Sequence, residues 1–216
     1  METFVVRVWL PDRPGALGQV ASRIGAVRGD VVGIDILERG GGQAVDELVV
    51  GMPDGSSIEL LVSEISQVDG VAVEDVRRVA ADRPDGGLFA LGMAAELAEC
   101  EPTERLELLC RQVGELVDAD WVVALDRKGT LPLVVHGASP DTGWLAAFID
   151  GSRHLSDEAQ AAGAPGDLGW GRLPAVDVVV ALGRTGRPIH TRERQQIGLL
   201  CRVADALMGV ALLNPA

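Results

Sequence analysis

The segment LPDRPGALGQVASRI, residues 10–24, joins an apolar run to a helical repeat, and this junction decides the fold of the first half of the chain. Residues 3–10, TFVVRVWL, are rich in β-branched and aromatic side chains, which predicts a strand. After the turn, apolar residues recur with the helical period at Leu17, Val20, Ala21 and Ile24. Pro14 suits the first helical position, and Gly29 predicts the end of the helix. The sequence therefore predicts a strand, a tight turn and a helix.

The residues that follow repeat this alternation of strands and helices. Period-two patterns predict strands over residues 30–39, 43–52 and 70–79, with a loop at 40–42 between the first two. Ser56 and Glu59 have the spacing of a capping box and predict the start of a second helix. The order is β-α-β-β-α-β, which is the split βαβ arrangement of four antiparallel strands with both helices on one face.

This order of elements resembles an ACT domain over about residues 3–79, with DRPGALGQVASRIG at the first turn and VVGIDI in the second strand. The resemblance implies an α+β, ferredoxin-like regulatory module of a kind that commonly binds amino acids. It also implies that the ligand lies where the first turn meets strand two of a paired module. The ligand-binding residues implied in this way are Leu10, Asp12, Arg13, Pro14, Gly15, Ala16, Leu17, Ile34 and Asp35.

The chemistry of the turn favours the same ligand. The first turn of a helix has N–H groups without intrahelical partners and a partial positive charge, which together attract a carboxylate. Gly15 has no Cβ, so a ligand can approach the backbone, and Asp12 can accept hydrogen bonds from an ammonium group. The alternatives are that Asp12 caps the helix, that Arg13 is a solvated turn residue, and that Asp35 is an exposed strand residue.

The second half begins after residues 80–87. Their segment ADRPDGG predicts a linker between domains at 1–82 and 88–216. Helices are predicted over 88–99, 103–117, 141–150, 155–163 and 190–213, with Thr142 and Ser156 as caps. Residues 120–125 and 131–136 predict a hairpin, residues 163–174 a glycine-rich loop, and residues 177–182 a strand. Cys110 lies on the apolar stripe of its helix, so it is interpreted as a core residue.

This second order of elements resembles a GAF domain over about residues 88–213, most clearly in RPIHTRERQQIGLLCRVADAL. The resemblance implies a GAF-like α/β sensor module or a dimer-forming fold and names no ligand. Trp121, Trp144 and Trp170 either line a pocket or pack in the core of this half. His136, His154 and His190 lie on separate elements and are interpreted as surface or loop residues.

Composition narrows the classes of function. The 216 residues carry a net charge of −13, which argues against binding to nucleic acid or to an anionic membrane surface. The cysteines Cys100, Cys110 and Cys201 have neither a disulfide framework nor zinc spacing, and no segment has the form of a signal peptide or a membrane span. We expect a cytoplasmic protein without a metal or another cofactor.

No catalytic motif is present: the sequence has no P-loop, no GxSxG, no HExxH and no GxGxxG after a strand. The sequence therefore predicts a non-enzymatic regulatory protein whose ACT-like module binds a small ligand, an amino acid, with a linked change in a homodimer. The alternative is an interaction or dimerisation subunit that regulates an unidentified partner protein without a small molecule. A third, weaker alternative is an enzyme with an unrecognised site at residues 137–174.

Overall fold

The computed structural model describes residues 1–81, 85–126, 132–151 and 167–213. The chain divides into two compact units, Met1–Gly86 and Gly87–Ala216. The division falls inside the segment predicted to be a linker, although a helix already begins at Gly86. Whether residues 1–82 fold alone stays a prediction, which expression of that fragment would test.

The first unit is an α+β sheet with the predicted order of elements. Its elements are β1 (Glu2–Pro11), α1 (Ala16–Ala26), β2 (Asp30–Gly40), β3 (Gln43–Met52), α2 (Ile58–Ile65) and β4 (Ala72–Val79). The strands are antiparallel in the order β2-β3-β1-β4. This is the ferredoxin-like topology, so the predicted fold class is confirmed.

The core of the first unit lies between the sheet and its two helices. Alternate residues of β1 and β3 point to this side, as a period of two requires, and they bury Phe4, Val6, Val8, Leu10, Ala44, Leu48, Val50 and Met52. The helices contribute Val20, Ile24, Leu61 and Ile65. Burial of these side chains holds α1 and α2 on one face of the sheet.

The helix ends in the first unit differ from the predicted ones by one or two residues. Helix α1 begins after Gly15, so Pro14 precedes the helix instead of occupying its first position. At its other end the left-handed residue is Arg28, with φ of 63°. Gly29 has a different role, because a Cβ there would lie 2.7 Å from both Ile24 and Met52. Gly29 therefore permits close packing.

Helix α2 is capped by Ser57 instead of Ser56. The Ser57 Oγ accepts a hydrogen bond from the Leu60 N–H at 3.1 Å and donates to Glu59 at 2.7 Å. Ser56 instead donates to the Pro53 carbonyl in the preceding turn. Only Ser56 has the capping-box spacing to Glu59, but the backbone path makes Ser57 the cap.

The second unit also contains a four-stranded antiparallel sheet, in the order β6-β5-β8-β7. Its strands are β5 (Trp121–Asp126), β6 (Pro132–Gly137), β7 (Leu168–Leu173) and β8 (Val178–Gly183). Its described helices are α3 (Gly86–Glu99), α4 (Arg105–Val117), α5 (Thr142–Gly151) and α6 (Thr191–Leu213). Residues of α3, α4 and α6 share one core with the sheet, and α5 covers part of the opposite face.

The predicted hairpin is confirmed by the antiparallel pairing of β5 with β6. The predicted glycine-rich loop is partly wrong, because residues 168–173 of it form β7. A Cβ at Gly171 would overlap the Cys201 sulfur, and one at Gly169 would lie 3.3 Å from Ile189. The glycines here let helix α6 approach the strand closely, so they indicate packing and not a loop.

Two further details of the second unit differ from the sequence analysis. The Asp141 carboxylate accepts a hydrogen bond from the Trp144 N–H at 2.8 Å, so Asp141 caps α5 and Thr142 does not. His190 lies in the loop before α6, which is one of the two interpretations given for it, but it is only 2% exposed and therefore not at the surface. The predicted helix capped by Ser156, together with His154, lies outside the described residues.

Candidate functional site

The turn between β1 and α1 is fixed at both ends by backbone hydrogen bonds. The Arg13 N–H donates to the Pro11 carbonyl at 2.8 Å, and the Ala16 N–H donates to the Arg13 carbonyl at 3.3 Å. The Asp12 N–H donates to the Gly42 carbonyl at 3.0 Å, which ties the turn to the hairpin between β2 and β3. The turn is therefore a defined loop at one end of the sheet.

Helix α1 presents unpaired N–H groups at this turn. Gly15 is its N-terminal cap residue, with φ of 86°, and no side chain caps the helix. The N–H groups of Leu17 and Gly18 have no acceptor among the described residues. Nothing lies within 4 Å of the place that a Cβ at Gly15 would occupy. An anion can therefore reach these N–H groups, where the helix dipole also favours it.

Asp12 does not cap the helix, so that interpretation is wrong. Its carboxylate is partly exposed and lies 4.0 Å from the Arg39 Nε on β2, a distance at which an exposed ion pair contributes little. Because the side chain is not engaged by the helix, it remains able to accept hydrogen bonds from a ligand.

The other predicted residues of the turn have structural roles. The Arg13 guanidinium lies 3.5 Å from the Gln19 side chain on the exposed side of α1, as expected of a solvated turn residue. Leu10 and Ala16 are buried in the core, and Leu17 packs against it. These three residues offer a ligand their backbone groups and not their side chains.

Ile34 and Asp35 are not brought to the turn within one copy of the chain. Strand β3 lies between β2 and β1, with Ile34 opposite Leu48 and Leu10 opposite Ala44. Two strand spacings and a four-residue offset place Ile34 roughly 16 Å from Leu10. Asp35 pairs with Glu47 and therefore faces the other side of the sheet. Only a second copy can bring these residues to the turn.

Asp46 on β3 is a residue of this region that the sequence analysis missed. It lies opposite Val8 on one side and Ile36 on the other, on the face that carries the helices. It is only 4% exposed, and its Oδ1 accepts no hydrogen bond. Burial raises the pKa of Asp46, which nearby Arg39 lowers and Asp12 raises again. The sequence does indicate it, because Asp46 is an acidic residue at a core-facing position of the strand, between Ala44 and Leu48.

The opposite face of the same sheet holds a cluster of paired charges. Arg7 is 2% exposed and donates two hydrogen bonds to Glu47, at 2.8 and 3.1 Å. Arg77 lies 3.3 Å from the same carboxylate and 3.1 Å from Asp75. The indole N–H of Trp9 donates to Glu74 at 2.6 Å. The Arg7 Nη1 makes no hydrogen bond and lies 3.8 Å from Glu74, so each buried charge of the cluster has an opposite charge within 4 Å and the cluster serves as structure.

The second unit contains an open pocket of about 340 Å³ between α4, β5 and β6. Its acidic side chains are largely engaged, because Asp118 binds Arg187 at 2.8 Å and Asp120 accepts the Thr185 N–H at 2.7 Å. The His136 Nε2 lies 3.1 Å from Glu107. Burial raises the pKa of Cys110, which lines this pocket, to about 12, which favours the protonated thiol.

The remaining predicted residues of the second unit belong to its packing. Cys110 and Cys201 are buried in the core, as expected for Cys110, and burial raises the pKa of Cys201 to about 12 as well. Trp144 stacks on Phe148 at 5.6 Å, and Trp170 meets Phe148 edge-on at 5.8 Å. Trp121 packs against the same core and also lines the pocket. Arg184 and Glu193, which lies in the first turn of α6, form a buried ion pair at 2.7 Å.

The described part of the chain has no group of three His, Cys, Asp or Glu side chains placed to hold a metal ion. Among the same residues, no helix is both long enough and apolar enough to cross a membrane.

Comparison with known proteins gives only distant similarities. No protein-family model matches the chain, and no curated protein matches it. Among solved structures, an unknown protein from Galdieria sulphuraria is similar over 44% of this chain and 64% of its own, with 18% identity and a TM-score of 0.33. A formyltetrahydrofolate deformylase from Pseudomonas putida is similar over 41% and 36%, with 16% identity and a TM-score of 0.30.

An ACT domain protein from Streptococcus pneumoniae is similar over 36% of this chain and 89% of its own, with 15% identity and a TM-score of 0.31. This chain thus spans less than two thirds of the length of the first two proteins. Similarity at this level carries no argument about function, so the site has to be judged by its own geometry.

Proposed function

We propose that the chain is a non-enzymatic, cytoplasmic regulatory protein whose first unit binds an amino acid at the turn between β1 and α1. The observation that carries the proposal is the exposed N-terminus of α1, where the N–H groups of Leu17 and Gly18 have no acceptor in the described structure. The ligand carboxylate binds these N–H groups, and the ammonium group binds Asp12, whose carboxylate is not used by the helix.

The proposed regulatory response is a change in a homodimer. Strand β2 is an edge strand, and its side chains Val32, Ile34 and Ile36 are exposed. An apolar edge of this kind is a ready surface for pairing with another chain. Pairing of two copies at this edge would join their sheets, and a ligand that favours one such arrangement would link binding at the turn to the dimer.

The second candidate is an interaction subunit that binds a partner protein without a small molecule. The same exposed residues of β2 support it, because an edge strand pairs through its backbone and needs no ligand. The two candidates therefore share the interface and differ only in whether the turn is occupied.

Isothermal calorimetry and thermal unfolding with each of the twenty amino acids distinguish the candidates. A ligand at 100 times its Kd stabilises the fold by about 2.7 kcal/mol. Asp12→Ala should remove most of that shift, and Gly15→Val should abolish binding, whereas Asp30→Ala, at an exposed acid on β2, should leave it unchanged. Absence of heat and of a thermal shift with every amino acid would reject the first candidate.

Sedimentation at micromolar concentration tests the dimer separately from the ligand. We expect a species of twice the 22.7 kDa chain mass, and we expect Ile34→Glu to convert it to the monomer. A wild-type monomer would exclude both the dimer and the role of Ile34 and Asp35 in the site.

A further inference from the structure

Asp46 and Asp12 lie on the same face of the sheet, near the same end of helix α1. Asp12 lies just beyond β1 in the turn, and its carboxylate is 4.0 Å from the Nε of Arg39, whose register on β2 places it on the helix-bearing face. Arg39 is paired with Ala44 and is therefore a diagonal neighbour of Asp46 on that face. The turn thus adjoins two carboxylates and one guanidinium.

Of these three groups, Asp46 is the one that the protein leaves unsatisfied. Asp46 is only 4% exposed to solvent, and its buried Oδ1 has no hydrogen-bond partner. An ionised carboxylate in such a position destabilises the fold unless a cation or a donor reaches it. Arg39 is mostly exposed and is shared with Asp12, so it compensates Asp46 only in part.

The spacing of the two carboxylates decides what kind of cation fits. Val8 is opposite Asp46 and four residues before Asp12, so the two aspartate Cα atoms are about 13 Å apart. The two side chains stand on one face and extend in the same direction, so the carboxylates are also on the order of 13 Å apart. A single ammonium group cannot contact both, whereas two cationic groups joined by an aliphatic chain can.

We propose that the site at the turn selects an amino acid with a cationic side chain, of the lysine, ornithine or arginine class, and that Asp46 binds the side-chain cation. This inference rests on the proposed function, because the ligand carboxylate and α-ammonium bind Leu17, Gly18 and Asp12 as described above. Two carboxylates and one guanidinium leave one negative charge uncompensated, and such a ligand carries one net positive charge. Arg13 does not change this balance at Asp46, since its side chain extends toward Gln19.

The test compares L-lysine with L-norleucine on the full chain by calorimetry, since the two ligands share a backbone and differ at the terminal ammonium. We expect lysine to bind at least about tenfold more tightly, equivalent to about 1.4 kcal/mol. Asp46→Asn should reduce this preference to less than about twofold, while Asp30→Asn should preserve it, because Asp30 is exposed at the far end of β2.

A pH series on the wild-type chain gives a second measurement that needs no variant. Protonation of Asp46 removes its charge, so acidification from about pH 7 to about pH 4 should weaken lysine binding more than norleucine binding. Norleucine binding as tightly as lysine, or a lysine preference that survives Asp46→Asn, would overturn the assignment and leave the amino-acid site itself standing. Absence of binding by any amino acid would instead reject the proposed function and this inference together.

Discussion

Asp46 and Glu47 are neighbours on β3, and both are buried. They lie on opposite faces of the sheet, and only Glu47 has its carboxylate paired. Glu47 accepts two hydrogen bonds from Arg7 and lies 3.3 Å from Arg77. Asp46 has a buried oxygen without a partner and only a shared cation nearby. A buried charge that is fully paired is explained by the fold, whereas one that is not paired requires another explanation. The comparison therefore separates a structural carboxylate from a candidate binding carboxylate.

The largest effect is expected at the paired carboxylate. Glu47→Ala leaves the guanidinium of Arg7, which is 2% exposed, without its closest partner. Loss of one member of a buried ion pair destabilises a fold by about 3 to 5 kcal/mol, so we expect a loss near 3 kcal/mol in urea unfolding. Glu2→Gln is the matched control, because its Arg78 partner is largely exposed. A loss below about 1 kcal/mol would mean that the pair is not structural.

A smaller effect of the opposite sign is expected at Asp46. Asp46→Asn removes a buried charge without a full counter-charge, so we expect a gain of about 1 kcal/mol in unfolding free energy near neutral pH. The pKa of Asp46 is raised above its ordinary value of 3.8 by burial, so the folded state holds the proton more tightly than the unfolded state. The destabilisation caused by the Asp46 charge therefore disappears below the pKa that Asp46 has in the unfolded state. It reaches its full size above the pKa that Asp46 has in the folded state.

Urea unfolding of wild type and Asp46→Asn as a function of pH measures this difference. The two stabilities should converge as the pH falls below about 4 and separate as it rises toward 7. Asp30→Asn, at an exposed acid, should show no such separation. Destabilisation by Asp46→Asn at neutral pH would show that the carboxylate has a partner in the free protein.

The sequence was sufficient for most of the fold and for only part of the site. The alternation in β1 and β3 and the helical period of Leu17, Val20 and Ile24 follow directly from which side chains face the core. The strand β7 was missed because Gly169 and Gly171 are required by the approach of helix α6, a contact distant in sequence. A local pattern cannot distinguish such a glycine from one in a loop.

The sequence predicted the turn because the residues that form it are adjacent in the chain. It did not predict the role of Asp46, because that role depends on pairing between distant strands. Gly15 is the N-terminal cap residue of α1, and Asp12 precedes it by three residues in the same turn. The role of Asp46 depends on the register that places it opposite Val8 and Ile36, and register is set by pairing between distant segments. For the same reason the sequence did not show that β3 separates Ile34 from the turn.

The smallest effects on stability are expected at the N-termini of the two helices in the first unit. The Ser57 side chain caps α2 by accepting from the Leu60 N–H, whereas α1 has no side-chain cap and Asp12 stays away from its first turn. Ser57→Ala should therefore cost about 1 kcal/mol of unfolding free energy.

Asp12→Ala should change the unfolding free energy by less than about 0.5 kcal/mol, because its partly exposed carboxylate lies 4.0 Å from Arg39 and contributes little to stability. Urea unfolding of both variants without ligand measures the contrast. A loss of about 1 kcal/mol for Asp12→Ala would restore its role as a helix cap and remove the reason to assign it to a ligand. A near-zero change, joined to a lost amino-acid-induced thermal shift, would mean that the chain keeps Asp12 at the turn for binding and not for folding.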